Sequence, residues 1–454
     1  MGFLLPDTPI GDVDAYFAAG GGDGLVAARA LGPDSTIDEV TAAGLRGRGG
    51  GGFPTGVKWR SVRGTGGGRR YVVANGAEGE PATFKDRTLM RLDPYRVVEG
   101  AAIAALAVGT TDIFLATKAS FAVEASALRR AAVELSGSGL LGDLTISVVE
   151  GPDEYLYGEE KAMLEVIEGR DPLPRELPPW QHGLFATVPI GWEGRDQDRG
   201  PAWESNPTSV NNVETLATVA HILAKGADWF RTMGTAGSPG TILATVVGDI
   251  RHPQVVEVDL GTRFDDLLER CGGSLDGRKL VAAFSGVSNP VLTAANFDVP
   301  LTYEDFASRG TGLGAAGFVV YDDQTDMVSV ARELSRFLAV EACGQCPPCK
   351  TGAIDITDRL LSIEQGTGGD ADLGVINARL RTITDGNRCY LGTEEQNVVS
   401  SILRAFPEAF AARLEGTAGG LRPAMVPLVK DILDDGTVIY DERHLRKQPD
   451  WTYR

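Results

Sequence analysis

The sequence predicts an α/β domain with a mostly parallel sheet, then a small β-grasp-like domain, and then a helical bundle in which cysteines gather. Between residues 71 and 168, short apolar strands alternate with amphipathic helices, which is typical of parallel βα units. Near residue 240 the pattern changes to closely spaced strands. From Met327 onward the pattern is helical, and four of the five cysteines lie in this last part.

Composition limits the classes of protein that fit. The chain has 454 residues, 43% of them hydrophobic, which suits about three domains with buried cores. A net charge of −19 argues against non-specific nucleic-acid binding. No apolar run reaches the roughly 18 residues of a membrane-spanning helix, and the first residues lack the basic and apolar regions of a signal peptide. Sparse cysteines favour a reducing cytoplasm.

Domain boundaries are placed where the pattern changes. Residues 1–35 are rich in Gly, Asp and Ala without clear periodicity, and we interpret them as a loosely structured N-terminal lead-in. The α/β domain then covers residues 36–239, the β-grasp-like domain 240–326 and the helical domain 327–415. The C-terminal tail, residues 416–454, is expected to pack on the surface.

The α/β domain is predicted element by element. A short helix begins near Thr36, because Ile37 and Val40 fall on one of its faces. A later helix is expected to begin at Asn211-Asn212 and to run to about Lys225. Between them, strands at 71–74, 113–117 and 144–149 alternate with helices at 94–108, 123–135 and 159–168.

A glycine-rich segment precedes the first strand and reads Gly47-Arg48-Gly49-Gly50-Gly51-Gly52-Phe53. It contains G-x-G-x-x-G, but a dinucleotide-binding glycine turn follows a strand, whereas this one follows a predicted helix. Glycines still let backbone N–H groups approach a phosphate or a ring, and Arg48 and Lys58 add positive charge. A flexible loop is the alternative, although the Phe-Pro and Lys-Trp pairs that follow favour a structured ligand wall.

Polar segments follow two strands of the predicted sheet. Residues 75–81 include Glu78 and Glu80, and residues 151–160 include Glu159 and Glu160. Each segment alone resembles a solvated turn, but the carboxyl ends of parallel strands share the edge at which ligands bind. Their equivalent placement therefore favours a shared pocket. Asn211 and Asn212 either cap a helix or bind a flavin or ribose edge.

The last two domains follow from their own patterns. Strands at 241–248, 255–258 and 279–285 with a helix at 263–271 predict the β-grasp-like unit, in which nothing looks catalytic. An apolar stripe with helical spacing then runs from Met327 to Leu338, just before Cys343. Further helical patterns lie around 354–363, 373–383, 394–406 and 408–414.

The cysteines predict a metal cluster. Cys343, Cys346 and Cys349 have two-residue gaps, so their thiols can face one point, and Cys389 can supply a fourth. This arrangement suits a [4Fe–4S] cluster. A zinc site, which more often uses two separate Cys-x2-Cys pairs, is the alternative. Cys271 stands alone and is interpreted as a small buried side chain.

Taken together, these motifs resemble those of the flavin-binding F subunit of NADH:quinone oxidoreductase (respiratory complex I). They also resemble the related diaphorase subunits of NAD-dependent formate dehydrogenases and hydrogenases. The resemblance covers roughly residues 36–415. It is carried by Gly44-Leu45-Arg46-Gly47-Arg48-Gly49-Gly50, Phe53-Pro54-Thr55-Gly56, Thr83-Phe84-Lys85-Asp86-Arg87, Tyr155 with Gly158-Glu159-Glu160, Asn211-Asn212-Val213-Glu214-Thr215 and the cysteine set.

The resemblance implies a role for each matched residue. FMN would be held by Gly47, Arg48, Gly49, Gly50, Lys58, Asn75, Tyr155, Gly158, Glu159, Asn211 and Asn212. NADH would lie against Phe53, Glu78, Glu80, Glu160 and Trp180, with Glu78 and Glu160 as catalytic residues. The cluster would be bound by Cys343, Cys346, Cys349 and Cys389. The middle unit would be a soluble-ligand-binding β-grasp (SLBB) domain.

Several positions depart from the family pattern, and most of them lie on the dinucleotide side. Ala77 stands where an acidic residue is common, Ser61 where an aromatic is common, and Leu177 where a lysine is common. Tyr157 replaces a cysteine and Pro347 a threonine. Residues 188–205 read as an insertion.

By resemblance, the chain oxidises NADH at FMN and passes single electrons through the cluster to a partner. One alternative runs the same steps toward NAD⁺ reduction, as the diaphorase subunit of a formate dehydrogenase or hydrogenase. Another is an electron-relay paralogue with an inactive nucleotide site. The implied partners are a small [2Fe–2S] subunit and a large subunit of formate dehydrogenase, hydrogenase or complex I type. The implied location is cytoplasmic, with peripheral attachment to a membrane-bound complex as the alternative.

Overall fold

The computed structural model of the chain describes residues 2–187, 204–433 and 435–454. The chain forms two compact units. The first comprises residues 1–78, 86–242 and 257–260, and the second comprises residues 79–85, 243–256 and 261–454. Most of the insertion expected at residues 188–205 lies outside the described residues.

The first unit is built on a four-stranded sheet in which all pairs are parallel, as predicted. Its strands are β1 (Tyr71–Asn75), β2 (Asp112–Lys118), β3 (Thr145–Gly151) and β4 (Thr208–Asn212), in the spatial order β3-β2-β1-β4. β1 is a central strand and is buried except at its last residue. The register pairs Asn75 with Asn212, so these two strands end side by side.

Ten helices accompany this sheet among the described residues. They are α1 (Val13–Ala18), α2 (Asp23–Leu31), α3 (Pro33–Ala43), α4 (Thr55–Gly64), α5 (Lys85–Leu92), α6 (Pro94–Val108), α7 (Ala122–Gly137), α8 (Glu160–Ile167), α9 (Val213–Lys225) and α10 (Ala227–Phe230).

Helix α6 is the central helix of the first unit, and its ends match the predicted ones. Asp93 caps its first turn by accepting a hydrogen bond from the Arg96 backbone N–H, Pro94 occupies the first position, and Gly109 ends it at φ 81°. Gly100 lets α9 approach closely, because a Cβ at this position would lie 1.9 Å from the Leu216 carbonyl oxygen. The apolar residues of α6 are buried almost all round, as an interior helix requires.

The expectation of a loosely structured lead-in was wrong, because residues 1–35 include α1 and α2 and the start of α3. Their anchor is Glu99 of α6, which is completely buried. Its carboxylate accepts hydrogen bonds from the Tyr16 hydroxyl and from the backbone N–H groups of Gly22 (3.1 Å) and Leu25 (2.9 Å). Arg96 adds a charged partner at 3.3 Å. A buried carboxylate needs such donors, and they order the segment that carries them.

The second unit contains a β-sheet and then a run of helices, as predicted, but the sheet has five strands where the sequence predicted three. The strand order is β6-β5-β9-β7-β8, in which β5 pairs parallel with β9 and antiparallel pairs join β9 to β7 and β7 to β8. The strands are β5 (Thr241–Gly248), β6 (Gln254–Asp259), β7 (Leu280–Ser285), β8 (Leu292–Thr293) and β9 (Gly317–Asp322), with helices α11 (Phe264–Arg270) and α12 (Tyr303–Ser308).

The helical part and the tail complete the second unit. The helices are α13 (Met327–Glu341), α14 (Pro347–Glu364), α15 (Asp370–Thr382), α16 (Leu391–Ala405) and α17 (Pro407–Leu414). The tail forms a small antiparallel pair, β10 (Val429–Ile432) with β11 (Val438–Tyr440). None of the helices in the described ranges combines the length and the apolar character that crossing a bilayer requires.

Asp93 provides a pH test of the α6 cap. Burial raises the pKa of its carboxyl to about 6, against the opposing pull of the Arg96 guanidinium at 3.6 Å. A carboxyl whose pKa is higher in the folded protein than in the unfolded chain stabilises the folded state fully at pH values below its unfolded-state pKa. This stabilisation is lost as the pH rises through the folded-state pKa. Because Asp93→Asn cannot ionise, we expect its stability relative to the wild type to rise by up to about 3 kcal/mol between about pH 4 and about pH 7.

Thermal unfolding of both proteins at several pH values measures this difference. Asp38→Asn is the control, because Asp38 pairs with Arg60 on the surface. A stability difference between Asp93→Asn and the wild type that does not change with pH would contradict the assignment.

Candidate functional site

The site predicted at the sheet edge begins with Asn75 at the end of β1. Its side-chain amide donates to the Gly158 carbonyl at 2.8 Å, and its Oδ1 accepts from the Ala77 backbone N–H at 3.1 Å. The segment after β3 is therefore joined directly to the end of β1. The start of the segment after β1 therefore lies beside the segment after β3, as expected.

The glycine-rich segment forms a closed loop between α3 and α4. Its base is fixed by hydrogen bonds from Gly47 N–H to the Phe53 carbonyl (2.9 Å) and from Thr55 N–H to the Leu45 carbonyl (2.9 Å). Gly49 lies against the end of β4, since a Cβ on it would be 3.2 Å from the Cβ of Asn212. The loop thus follows a helix, as predicted, and brings exposed backbone to the same edge of the sheet.

Arg48 anchors this loop from the inside. Its side chain is 1% exposed and donates to the carbonyl oxygens of Thr241 (2.9 Å) and Arg46 (3.2 Å), with Glu214 at 3.9 Å. Its backbone N–H donates to the Thr215 hydroxyl at 2.9 Å. The positive charge that Arg48 was expected to offer a ligand is therefore buried beside Glu214, and Arg48 shapes the loop.

Helix α4 brings the predicted residue Lys58 and its neighbour Trp59 to the edge. The Lys58 ammonium lies 2.7 Å from the Glu160 carboxylate, and both side chains are partly exposed. The Trp59 indole N–H donates to Asn211 Oδ1 at 2.9 Å. Lys58 and Glu160, which were assigned to FMN and to NADH, therefore form one ion pair.

Asn211 and Asn212 end β4 and do not lie inside a helix. Asn212 caps α9 by accepting from the Glu214 backbone N–H at 2.9 Å, and its amide donates to Asp86 at 2.7 Å. Asn211 is buried and is held by Trp59 and Ser209. The helix start was placed two residues too early because β4, with the sequence Thr-Ser-Val-Asn-Asn, lacks an apolar strand pattern.

The segment from Tyr155 to Glu160 forms a short 3-10 turn and the start of α8. Glu159 caps α8 by accepting from the backbone N–H groups of Lys161 (3.0 Å) and Ala162 (2.9 Å). Burial raises the pKa of the Glu159 carboxyl to about 7, although Lys161 lies 4.0 Å away. Tyr157 is buried, and its ring lies over Gly151, where a Cβ would be 2.3 Å from Cζ.

The acidic residues assigned to NADH have different surroundings. Glu78 is buried and accepts hydrogen bonds at the start of α5 from the Asp86 N–H (3.1 Å) and from Arg87 Nε (3.1 Å). Glu80 belongs to the second unit, where it accepts from the Val287 N–H at 2.7 Å and the Ser288 hydroxyl at 3.0 Å. Phe53 and Trp180 are exposed.

The residues at the sheet edge fit FMN. Glycines leave backbone free to approach a planar ring or a phosphate, and a Cβ on Gly51 would meet nothing within 4 Å, so the backbone there is open. Asn amides and the Lys58 ammonium supply polar and positive groups for the flavin and its phosphate. Sequence reasoning did not identify Trp59, Asp86 and Thr215 as the partners that hold Asn211, Asn212 and the loop. These three residues lie within the motif segments, but the sequence does not show which side chains they contact, because those contacts form only in the folded chain.

Three cysteines of the second unit, Cys343, Cys346 and Cys349, lie at or just before the start of α14. Cys346 is its N-cap residue and Pro347 its first residue, while Gly344 turns the chain at φ 85°. Burial, the nearby Cys346 thiol, Glu395 and the Cys343 thiol raise the pKa of the Cys349 thiol to about 12. The Cys343, Cys346 and Cys349 thiols thus lie within electrostatic reach of one another around the first turn of α14. Pro347 is accommodated because the first helical position needs no N–H partner.

Cys389 is brought toward this loop by its neighbour. Arg388 donates to Gln345 Oε1 at 3.1 Å, and Gln345 in turn contacts Cys343 Sγ at 3.7 Å. In the described ranges, no three His, Cys, Asp or Glu side chains converge as ligands of a single ion. A four-iron cluster does not require this, because each thiolate binds a different iron. The donor set therefore fits a [4Fe–4S] cluster.

Comparisons with known families agree with this division of the chain. The Nuo51 FMN-binding domain matches residues 40–221, the SLBB domain residues 243–284, and the NADH-ubiquinone oxidoreductase-F iron-sulfur binding region residues 329–413. The three regions follow the order predicted from the sequence.

Relatives of known name cover almost the whole chain. The F 2 subunit of the NADH-quinone oxidoreductase of Rhizobium meliloti is 36% identical over 90% of this chain and 96% of that protein. The HndC subunit of the NADP-reducing hydrogenase of Solidesulfovibrio fructosivorans is 33% identical over 91% of this chain and 82% of that protein.

A solved structure agrees at the level of the fold. A chain of an NAD⁺-reducing [NiFe]-hydrogenase in the H2-reduced state superimposes with a TM-score of 0.76 and 30% identity, covering 92% of this chain and 68% of that chain. Because sequence and fold agree over nearly its full length, the chain belongs to the family of the NADH-quinone oxidoreductase F subunits and their hydrogenase counterparts.

Proposed function

We propose that this chain is an NADH-oxidising flavoprotein subunit that holds FMN in its first unit and a [4Fe–4S] cluster in its second. The observation that carries the proposal is the convergence of the glycine loop, Asn75, Gly158 and the Lys58–Glu160 pair at one edge of a parallel sheet. Ligands of such sheets bind outside the carboxyl ends of the strands. The four cysteines supply the second cofactor site.

When bound, FMN accepts a hydride from NADH and the cluster carries electrons one at a time, so the reactive chemistry belongs to the cofactors. The chain's own residues position the bound cofactors and shield them from solvent. The glycine loop offers backbone N–H groups without side chains in the way. Lys58 places a positive charge at the edge, and Asn75 holds Gly158 at a fixed distance from β1.

Glu160 is the carboxylate best placed to select the dinucleotide. It is partly exposed and bonded to Lys58, whereas Glu78 is buried against Arg87. A carboxylate near a ribose accepts hydrogen bonds from its hydroxyls and repels an added 2′-phosphate. We therefore infer a preference for NADH over NADPH, with Glu78 acting as a positioning residue at the start of α5.

The direction of electron flow has a second candidate. The relatives include a hydrogenase subunit named for reducing NADP, and the superimposed structure is a hydrogenase named for reducing NAD⁺. By analogy, this chain reduces NAD⁺ with electrons from a large formate dehydrogenase or hydrogenase subunit, through a small [2Fe–2S] partner. A cytoplasmic location suits both directions. A tagged chain that retains such a subunit during purification would favour the second direction.

An anaerobic titration of the reconstituted chain tests the proposal. We expect NADH to bleach the flavin absorbance and to support ferricyanide reduction, and NADPH to be clearly weaker. Bleaching by NADPH but not by NADH would overturn the preference. Bound flavin that neither dinucleotide bleaches would favour the electron-relay alternative.

Replacing Lys58 tests the flavin site. Lys58→Met removes the ammonium group that faces Glu160, so we expect FMN affinity to fall about tenfold or more, the usual scale for one charge-assisted contact. Flavin fluorescence quenching during FMN titration measures this affinity. Arg60→Met is the matched control, because Arg60 lies on the same helix and pairs with Asp38 at the surface. Equal FMN affinity of the Lys58 and Arg60 variants would contradict the assignment.

Replacing one cysteine tests whether the two cofactor sites are separate. In Cys346→Ala we expect most of the iron and acid-labile sulfide to be lost, while FMN and its bleaching by NADH remain. The reason is that the flavin residues named above belong to the first unit. Cys271→Ala should keep its iron, because Cys271 is buried at the end of α11. Full iron content in the Cys346 variant would refute the ligand assignment.

A further inference from the structure

The end of the tail, residues 442–454, lies beyond the region that the iron-sulfur family matches. We call this segment the C-terminal strap. Its contacts concentrate on the last turns of α13, immediately before Cys343. These contacts are made by buried charge, by backbone carbonyl groups and by one tryptophan.

The buried charge is Glu341, the last residue of α13. Its carboxylate lies 2.8 Å from the Lys447 ammonium, and the two side chains are 3% and 2% exposed. The His444 ring lies 3.5 Å from the same oxygen. A buried carboxylate is costly without a charged partner, and two of its partners come from the strap.

Backbone groups of the strap are held by α13 as well. The Arg336 guanidinium donates to the carbonyl oxygens of Leu445 (3.0 Å) and Lys447 (3.0 Å). The Trp451 indole N–H donates to the Val340 carbonyl at 2.9 Å. Trp451 has φ 64°, a region that bulky residues seldom occupy, so its surroundings must fix its position.

Residues 343–349, which carry three of the cysteines, form the cysteine loop. The C-terminal end of this loop is also hydrogen-bonded to the strap. Lys350 directly follows Cys349, and its ammonium donates to the carbonyl oxygens of Ala339 (2.9 Å), Ala342 (2.6 Å) and Pro449 of the strap. Cys343 and Cys349 are therefore each within two residues of a group bonded to the strap.

We infer that the C-terminal strap is a positioning element for the [4Fe–4S] cluster, and that Lys447 is its main positioning residue. This inference rests on the proposed cluster. The strap neutralises Glu341 and fixes the end of α13. It thereby keeps the cysteine loop in the conformation that binds the cluster. Residues that orient ligands from outside the ligand set typically change metal affinity 10- to 100-fold when replaced.

The test compares Lys447→Met with the wild type after anaerobic cluster reconstitution. We expect iron to leave the variant about tenfold faster in the presence of a ferrous chelator. We also expect a more negative midpoint potential of the cluster in a redox titration followed by electron paramagnetic resonance. The reason is that Glu341 loses its ammonium partner, and added negative charge disfavours reduction. Flavin content, which depends on the first unit, should not change.

Two further variants keep the test decisive. Trp451→Phe removes only the indole N–H bond to Val340 and should accelerate iron loss less than Lys447→Met does. Arg443→Met is the matched control in the strap, because Arg443 pairs with Asp441 at the surface, and it should behave as the wild type.

The outcomes separate the two proposals. If the wild type holds iron, and both Lys447→Met and Trp451→Phe lose iron at the wild-type rate and keep its midpoint potential, the inference about the strap is wrong and the cluster assignment stands. A wild type that binds no iron would overturn the cluster and the strap together. If Lys447→Met fails to fold, the Trp451→Phe result decides.

Discussion

The in-register parallel pairing of β1 with its two neighbours is the constraint on which the first unit depends. It ends β1 and β4 side by side, so that Asn75 and Asn212 become neighbours although they are far apart in sequence. A shift of one residue would turn every side chain of a strand to the opposite face. The glycine loop, the turn after β3 and the first turn of α9 are all placed by reference to these two residues.

Buried charge fixes loops in both units. Arg48 and Glu214 hold the glycine loop, Glu78 and Arg87 hold the start of α5, and Lys447 and Glu341 hold the end of α13. Such pairs add little stability compared with apolar residues of equal volume, because both charges are removed from water. Breaking one is costly, however, so each pair specifies one arrangement of a loop that sequence propensity leaves open.

The sequence predicted most elements of regular pattern and failed where contacts distant in sequence decide the structure. Helix α6 was predicted to the residue because its apolar surface, Asp93, Pro94 and Gly109 all agree. The N-terminal helices were missed because Glu99, far along the chain, orders a glycine-rich segment with little periodicity of its own. Arg48 was predicted to offer positive charge to a ligand, because nothing local in the sequence shows that Glu214 lies beside it. The cluster was predicted because the spacing of the cysteines indicates it without any knowledge of the fold, and the iron-sulfur binding region matches residues 329–413.

The central claim is that FMN binds at the sheet edge formed by the glycine loop, the ends of β1 and β4, and the turn before α8. Amide hydrogen exchange with and without FMN, read by mass spectrometry, tests this location directly. We expect FMN to slow exchange in peptides covering residues 46–59, 75–78, 155–162 and 209–216, and to leave exchange in α14 to α17 unchanged. Protection confined to other segments, or none at saturating FMN, would contradict it.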